Sequence, residues 1–359
     1  MNKIFKLGEL HLLAKRKEKW MQEHELKCIF WETTLTCNAK CKHCGSSAQT
    51  KKYAGELTTE EVKRAFKEIS EDYDASKVYL NITGGEPLMR KDLFNVMEYV
   101  SNELHFKWGM TTNGMLINDK VIENLKRTKL DTISISIDGL EKTHDDFRGV
   151  QGSYKTIIEN IKKLKQEDFL ECLMVTTVVH KKNVGELEEI YRQLKELDID
   201  LWRIIEMDPI GRARENDEML LNREEIKNVL DFIKKKRKCK EKMQIKYGCT
   251  GFLGLGYEKE VSYQYSCCLT GINIGSILHN GDIFVCPNVP RKKELIQGNV
   301  RKNRFKDIWE NKYEIFRKKE RTKCEGCSEW EHCLGGKFHT WNFEENKQNR
   351  CIYKIIKGE

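Results

Sequence analysis

Between residues 27 and 238, short apolar, β-branched runs alternate with longer segments whose apolar positions recur every three or four residues. The short runs predict strands over 27–34, 77–83, 105–111, 131–137, 171–179 and 200–207. The longer segments predict helices over 58–72, 92–102, 118–127, 153–166, 185–197 and 222–238, the first capped by Thr58 or Thr59 with a glutamate following. Six strand–helix units in a row imply an α/β fold with a parallel sheet and crossover helices. From about residue 247 the rhythm changes. Helices shorten, cysteines concentrate, and Gly251, Gly254, Gly256, Gly271, Gly275 and Gly281 punctuate the chain. The expected division is an N-terminal extension over 1–26, an α/β unit over 27–240 and a cysteine-rich unit over 241–359.

In parallel sheets, chemistry collects where the strands end. Here the strand ends carry the unusual residues. Cys37, Cys41 and Cys44 follow the first strand, and Gly84-Gly85-Glu86-Pro87 the second. Thr111-Thr112-Asn113-Gly114 follows the third, and Asp138-Gly139 the fourth.

Composition narrows the class. Charged residues make up 33% of the 359 and hydrophobic residues 39%, with only 4 prolines, so the chain is neither low-complexity nor disordered. No apolar run approaches the ~18 residues of a membrane span, and the lysine-rich start lacks a signal-peptide core. A cytoplasmic protein with no membrane association is expected. Net charge is +8. Much of it lies in the run 234–238 and in the stretch 291–323, which read either as solvated helix faces or as a docking surface for an acidic partner. Neither run is interleaved with aromatics suited to stacking bases, so no nucleic-acid partner is expected. The 14 cysteines stay reduced in the cytoplasm, and their clustering then argues for metal.

Three thiolates within eight residues leave a fourth ligand position open, whether on zinc or on one iron of a [4Fe–4S] cube. The Cys37-x3-Cys41-x2-Cys44 spacing, with a ring at His43, resembles the radical S-adenosylmethionine (SAM) superfamily. Gly84-Gly85-Glu86-Pro87 at the end of the next strand strengthens the resemblance. It implies a partial (βα)6 TIM-like barrel in which Cys37, Cys41 and Cys44 hold the SAM-binding [4Fe–4S] cluster. Gly84, Gly85 and Glu86 would meet the methionine end of SAM, with the glutamate on its ammonium. Thr112, with Thr111 as the alternate, and Ser136 would meet its ribose. His144-Asp145-Asp146-Phe147-Arg148-Gly149 is similar to a segment of peptide-modifying members, in which Arg148 either faces a carboxylate or forms a surface salt bridge.

Cys268-x12-Gly281-x4-Cys286, followed by Gly298-Asn299-Val300 and Asp307-Ile308-Trp309, resembles the opening of a SPASM domain. Such domains hold up to two auxiliary [4Fe–4S] clusters. By this resemblance Cys324, Cys327, Cys333 and Cys351 bind the distal cluster, and Cys249, Cys268 and Cys286 the proximal one, with Cys267 competing for a place. The pattern departs at Lys337, where a cysteine is expected. The proximal cluster is therefore completed by the Cys267/Cys268 pair or has an open iron, with His339 as a further candidate ligand.

The resemblance implies an oxidoreductase that cleaves SAM reductively to a 5′-deoxyadenosyl radical and abstracts hydrogen from a peptide or protein. Reduced flavodoxin or a ferredoxin-type protein would be the electron donor. Pro287 follows Cys286 where sulfatase-maturing members carry an aspartate, which argues against that subgroup. No leader-binding domain is expected ahead of the barrel. Two other classes stay open: a radical SAM enzyme acting on a small molecule, and a non-enzymatic zinc protein.

Overall fold

The computed structural model describes residues 3–249, 251–318, 324, 326–333 and 335–359. Helix α1 (Lys3–Glu23) opens it and has no counterpart in the apolar pattern, because it lacks a continuous apolar stripe. Polar ties hold it instead. Lys6 Nζ donates to the Leu255 carbonyl at 2.9 Å and to Glu260 at 2.8 Å, and Glu9 accepts from Lys259 and Tyr265, each at 2.7 Å.

The alternating region follows as β1 (Cys28–Glu32), α2 (Thr59–Asp72), β2 (Tyr79–Thr83), α3 (Leu93–Glu98), β3 (Lys107–Thr112), α4 (Asp119–Arg127) and β4 (Thr132–Ser136). Next come α5 (Glu141–Arg148), α6 (Ser153–Gln166), β5 (Cys172–Val179), α7 (Leu187–Glu196), β6 (Leu201–Glu206) and α8 (Arg223–Lys238). Thr58 caps α2 in a capping box with Glu61, and Asn222 with Glu225 does the same for α8. Helix α3 gives way to a π turn over Tyr99–Glu103 rather than running on as α-helix. Helix α5 is an extra element between the fourth strand and the predicted helix 153–166.

Strands β1 to β6 lie side by side in chain order, all parallel. The sheet continues past residue 240. Strand β7 (Gln244–Tyr247) pairs parallel with β6, and β8 (Ile274–Ile277) pairs parallel with β1 at the opposite edge. Antiparallel β9 (Asp282–Phe284) and β10 (Gly298–Asn299) extend that edge. The cysteine-rich segment is thus stitched to both edges of the open barrel. No helix among the described residues is long and apolar enough to cross a membrane.

The two faces of the sheet differ. Toward the helices, register aligns Trp31 with Ile82, Ile82 with Met110, Met110 with Ile133, and Val175 with Trp202, all buried. Trp31 packs edge-on against Phe66 of α2, and Trp202 against Phe232 of α8. The other face carries Asn81, Thr111, Thr132, Ser134, Thr176 and Arg203. Its hydrogen bonds run side chain to side chain: Tyr79 to Thr132 at 2.9 Å, Ser134 to Thr176 at 2.8 Å. A polar inner face is unsuited to a packed apolar core and suited to a substrate cavity.

Beyond β1 and β2 the chain pairs on. Gly85 N–H donates to the Thr34 carbonyl at 2.7 Å, and Glu86 N–H to that of Thr36 at 2.9 Å. The approach is close enough to exclude side chains. A Cβ at Gly84, where φ is +149°, would stand 2.4 Å from the Thr34 oxygen, and one at Gly85 2.4 Å from that of Thr36. Gly85→Ala is therefore expected to lower stability by at least about 1–3 kcal/mol, the usual scale of overpacking. Thermal unfolding checks this, and an unchanged midpoint would mean that the segment relaxes freely.

Candidate active site

The loop carrying Cys37, Cys41 and Cys44 has almost no regular structure, so its backbone groups need partners elsewhere. Cys37 N–H donates to the Gln49 carbonyl at 2.7 Å, closing the loop on itself. Lys40 and Lys42 N–H groups donate to the Arg148 and Phe147 carbonyls at the end of α5, at 3.2 and 3.0 Å. Arg212 binds three carbonyls: Cys41 through Nε at 2.8 Å, Ala48 through Nη1 at 2.6 Å, and Cys44 through its backbone N–H at 3.1 Å. Gly211 lets that segment approach, since a Cβ there would stand 2.2 Å from the Cys44 oxygen.

Each thiol of the loop has an N–H nearby. Arg148 Nη1 lies 3.6 Å from Cys41 Sγ, Ala48 N 3.4 Å from Cys44 Sγ, and Asn113 Nδ2 4.0 Å from Cys37 Sγ. Arg148 also forms a buried ion pair with Asp138, Nε and Nη2 both 2.6 Å from Oδ2. Asp138 Oδ1 accepts from Val178 N–H at 2.7 Å. Arg148 thus faces a carboxylate inside the protein, and the surface salt bridge is ruled out by its burial. His43 stacks on Phe147 at 4.6 Å, and Phe147 on His180 at 3.9 Å. Burial lowers the His43 ring to about 3, so it is neutral at pH 7.

Glu86 is completely covered. Its carboxylate accepts from Thr112 Oγ1 at 2.7 Å, Asn113 N–H at 2.8 Å and Leu88 N–H at 3.1 Å, which ties the end of β2 to the end of β3. Thr112 is buried and also accepts from Gly114 N–H at 3.0 Å, whereas Thr111 is exposed on the inner face. Ser136 lies on that same face, at the end of β4, and makes no side-chain hydrogen bond among the described residues.

The C-terminal cysteines fall into two sets. Burial raises the Cys286 thiol, and Cys249 and Cys268 are near enough to raise it further. Burial pushes Cys333 up to about 12, with Cys351 and Cys324 contributing, and Cys351 in turn feels Cys324 and Cys327. Cys267 is raised by burial too, but its ionic neighbours include Lys17 and Glu258. Lys337 is 4% exposed. Its Nζ is 2.6 and 2.7 Å from the two oxygens of Asp208 and 3.4 Å from Glu206, just beyond β6 and at its end. His339 Nε2 is 2.8 Å from Asp208. The residues that replace or supplement the expected cysteine are therefore tied to barrel carboxylates.

The basic stretch 291–323 is partly engaged in ion pairs within the chain, while Lys293, Lys302, Lys306 and Lys312 are exposed. Arg291 pairs with buried Glu32, Arg301 with Glu61, and Arg304 with Glu71 and Asp72. Residues 319–323 of that stretch lie outside the described residues. The run 234–238 forms the last turn of α8, where cations suit the helix dipole. Within it Lys236 pairs with Glu188 at 2.5 Å, and Arg237 donates to the Ile245 carbonyl at 2.9 Å.

A metal cluster fits the N-terminal loop by its donor set. Cys37 and Cys41 are packed with Ala39 and Ala48. Burial pushes the Cys37 thiol up to about 12 and raises Cys41, so a cation is needed to keep both as thiolates. Among the described residues no three His, Cys, Asp or Glu side chains converge as on a single ion.

An open parallel barrel with three thiols at its strand ends, joined to a cysteine-rich segment, defines an iron–sulfur enzyme of the SAM-cleaving class. The radical SAM superfamily model matches residues 31–194, and the SPASM model, an iron–sulfur cluster-binding domain, matches 267–333. The chain is 30% identical over 352 residues to an AdoMet-dependent heme synthase of Methanosarcina barkeri, covering 91% of this chain and 97% of the relative. It is 27% identical to a mycofactocin maturase of Mycolicibacterium smegmatis, covering 86% and 77%. Its fold is shared with anSMEcpe bound to AdoMet (TM-score 0.73, 17% identity, 92% and 94% coverage). The fold is also shared with Streptococcus suis SuiB bound to S-adenosylmethionine (TM-score 0.68, 20% identity, 88% and 73% coverage). The chain belongs to the radical SAM superfamily and carries a SPASM domain.

Sequence reasoning did not find Asp138 with Arg148 as a brace, nor Arg212. The signal available was position: Asp138 follows β4 and Arg212 follows β6, both beyond the strand ends.

The Lys337 cluster makes a prediction. Burial would raise Asp208, but Lys337 and His339 outweigh it and hold the carboxyl well below the usual range. A depressed folded-state pKa contributes stability above the unfolded value, about 3.9, that is lost as pH falls further. Lys337→Met should cost about 3–5 kcal/mol at pH 7 by leaving buried carboxylates unpaired. It should also shrink the acid-dependent loss below about pH 4. Urea unfolding at pH 7 and pH 3 checks both, and equal acid sensitivity in the two proteins would contradict the pairing.

Proposed function

We propose that the chain removes a hydrogen atom from a peptide substrate, with Cys37, Cys41 and Cys44 holding the [4Fe–4S] cluster that engages SAM. One observation carries this reading: a three-thiol loop, every sulfur near an N–H donor, at the mouth of a barrel with a polar inner face. Held by Cys37, Cys41 and Cys44, a [4Fe–4S] cluster would supply the one-electron reduction that splits SAM into methionine and a 5′-deoxyadenosyl radical able to take the hydrogen. The protein's part is positioning and exclusion of water. Arg148 and Asn113 stabilise thiolate charge through their N–H groups. Glu86, tied to Thr112, would face the methionine end of SAM beside Gly84 and Gly85, while Ser136 and Thr112, or the exposed alternate Thr111, would offer hydroxyls to the ribose.

In the SPASM domain, Cys324, Cys327, Cys333 and Cys351 fit the distal auxiliary cluster, and Cys249, Cys268 and Cys286 the proximal one. Held by Asp208, the Lys337 ammonium is no ligand, which favours an open iron there. Cys268 alone fits the motif position, so Cys267 is assigned no iron. Lys42, Lys142 and Lys182 line a cavity beside the ring stack of His43, Phe147 and His180. That charge suits an acidic flavodoxin or ferredoxin-type donor in the cytoplasm.

The peptide reading is supported by the likeness to the mycofactocin maturase and by the fold shared with SuiB. A second reading, a tetrapyrrole substrate, is favoured by the near full-length likeness to heme synthases. Anaerobic turnover separates them. Reduced protein with SAM should form 5′-deoxyadenosine, and the true substrate, deuterated, should pass its label into it. A peptide encoded beside this gene and a propionate-bearing porphyrin are the two arms. Cys41→Ala should abolish the product, and an undiminished yield would contradict the assignment.

A further inference from the structure

The inner face of the barrel carries two cations that the account so far leaves without a role. Register places Ser136 beside Thr176, Thr176 beside Arg203, and Arg203 beside Lys246, a single row across β4 to β7. Both cations are partly buried. Arg203 Nε donates to Thr176 Oγ1 at 3.1 Å, and no other side-chain bond of Arg203 is made among the described residues. Neither cation has a carboxylate within ion-pair distance among those residues, whereas buried Lys6, Arg90, Arg148 and Lys337 each face one. Like charges at paired positions of adjacent strands repel, and burial adds to the cost of keeping both charged. Consistent with that, burial lowers both groups, and Arg203 lowers Lys246 further. Gly248 leaves room for the arginine, since a Cβ there would stand 3.0 Å from Arg203 Cδ.

We propose that Arg203 and Lys246 form a subsite that binds a carboxylate of the substrate. A planar guanidinium with two free Nη groups matches a carboxylate in two-point contact, and the ammonium adds a point charge. The row runs from Ser136, at the end of β4, to a strand that leads within three residues to Cys249. A substrate anchored there lies between the proposed SAM site and the proposed proximal cluster. The inference rests on the proposed reaction for calling the ligand a substrate. It narrows that substrate to a carboxylic acid, either a peptide carboxylate or a propionate.

The test uses the SAM-bound holoprotein and trace acylation of Lys246 read by mass spectrometry. Glutarate should slow labelling of Lys246 by about fivefold or more, a modest occupancy effect, while its neutral diamide should not. Arg203→Lys should keep most of the protection and Arg203→Gln lose it, with thermal unfolding showing that both variants fold. Equal labelling with glutarate and glutaramide, or full protection in Arg203→Gln, overturns the proposal. Equal protection by sulfate overturns the carboxylate assignment. Protection by glutarate in a wild-type protein that makes no 5′-deoxyadenosine supports the subsite while removing the proposed reaction.

Discussion

The buried pair of Arg148 and Asp138 fixes the position from which the cysteine loop is held. Three thiols in eight residues, with a lysine before and after Cys41, do not fold by themselves. The loop takes its shape from groups that four other strand ends present to it. Arg148 does three things in this arrangement: it pairs with Asp138, reaches the Cys41 sulfur, and lends its carbonyl to Lys40. An ion pair with no access to water is tolerated only when its remaining hydrogen bonds are made. Here the Val178 N–H completes Asp138. Arg212 closes the loop from the side of β6, so both halves of the barrel grip it.

The same logic joins the cysteine-rich segment to the barrel. Carboxylates at two strand ends, Glu32 of β1 and Glu206 of β6 with Asp208 beyond it, are buried under basic side chains from that segment. His279 and Arg291 cover the first, and Lys337 and His339 the second. These contacts, with β7 and β8 at the two sheet edges, tie the cysteine-rich segment to the strand ends on both sides of the barrel. Arg291 and Lys337, which a one-dimensional reading leaves free for a partner, are among the residues so used. Arg203 and Lys246 on the inner face, which meet no carboxylate among the described residues, are correspondingly informative.

Much of the barrel was legible because its signals are local. Six strands show as β-branched runs, six helices as apolar stripes, and Asn222 with Glu225 spells a helix start. Cys37, Cys41 and Cys44 were readable for the same reason, being close in sequence. Features made by distant residues were not. Helix α1 has no apolar stripe, and β7 and β8 are short pieces whose partners lie far along the chain. The partner of Arg148 is ten residues away but inside the core, so burial, which sequence does not display, decided between a surface bridge and a brace. Glu86 was marked by its glycines as special, yet its bonds to Thr112 and Asn113 depend on how β2 and β3 end together.

The central claim is that the N-terminal loop and the SPASM domain carry separate clusters on separate cysteines. Iron per chain after anaerobic reconstitution tests it most directly, in the wild type and in a variant with Cys37, Cys41 and Cys44 all changed to Ala. Three [4Fe–4S] clusters predict about 12 iron atoms in the wild type and about 8 in the variant, with the loss confined to the signal that SAM perturbs. Equal iron in the two proteins, or a wild type that binds zinc and no iron, would contradict the account.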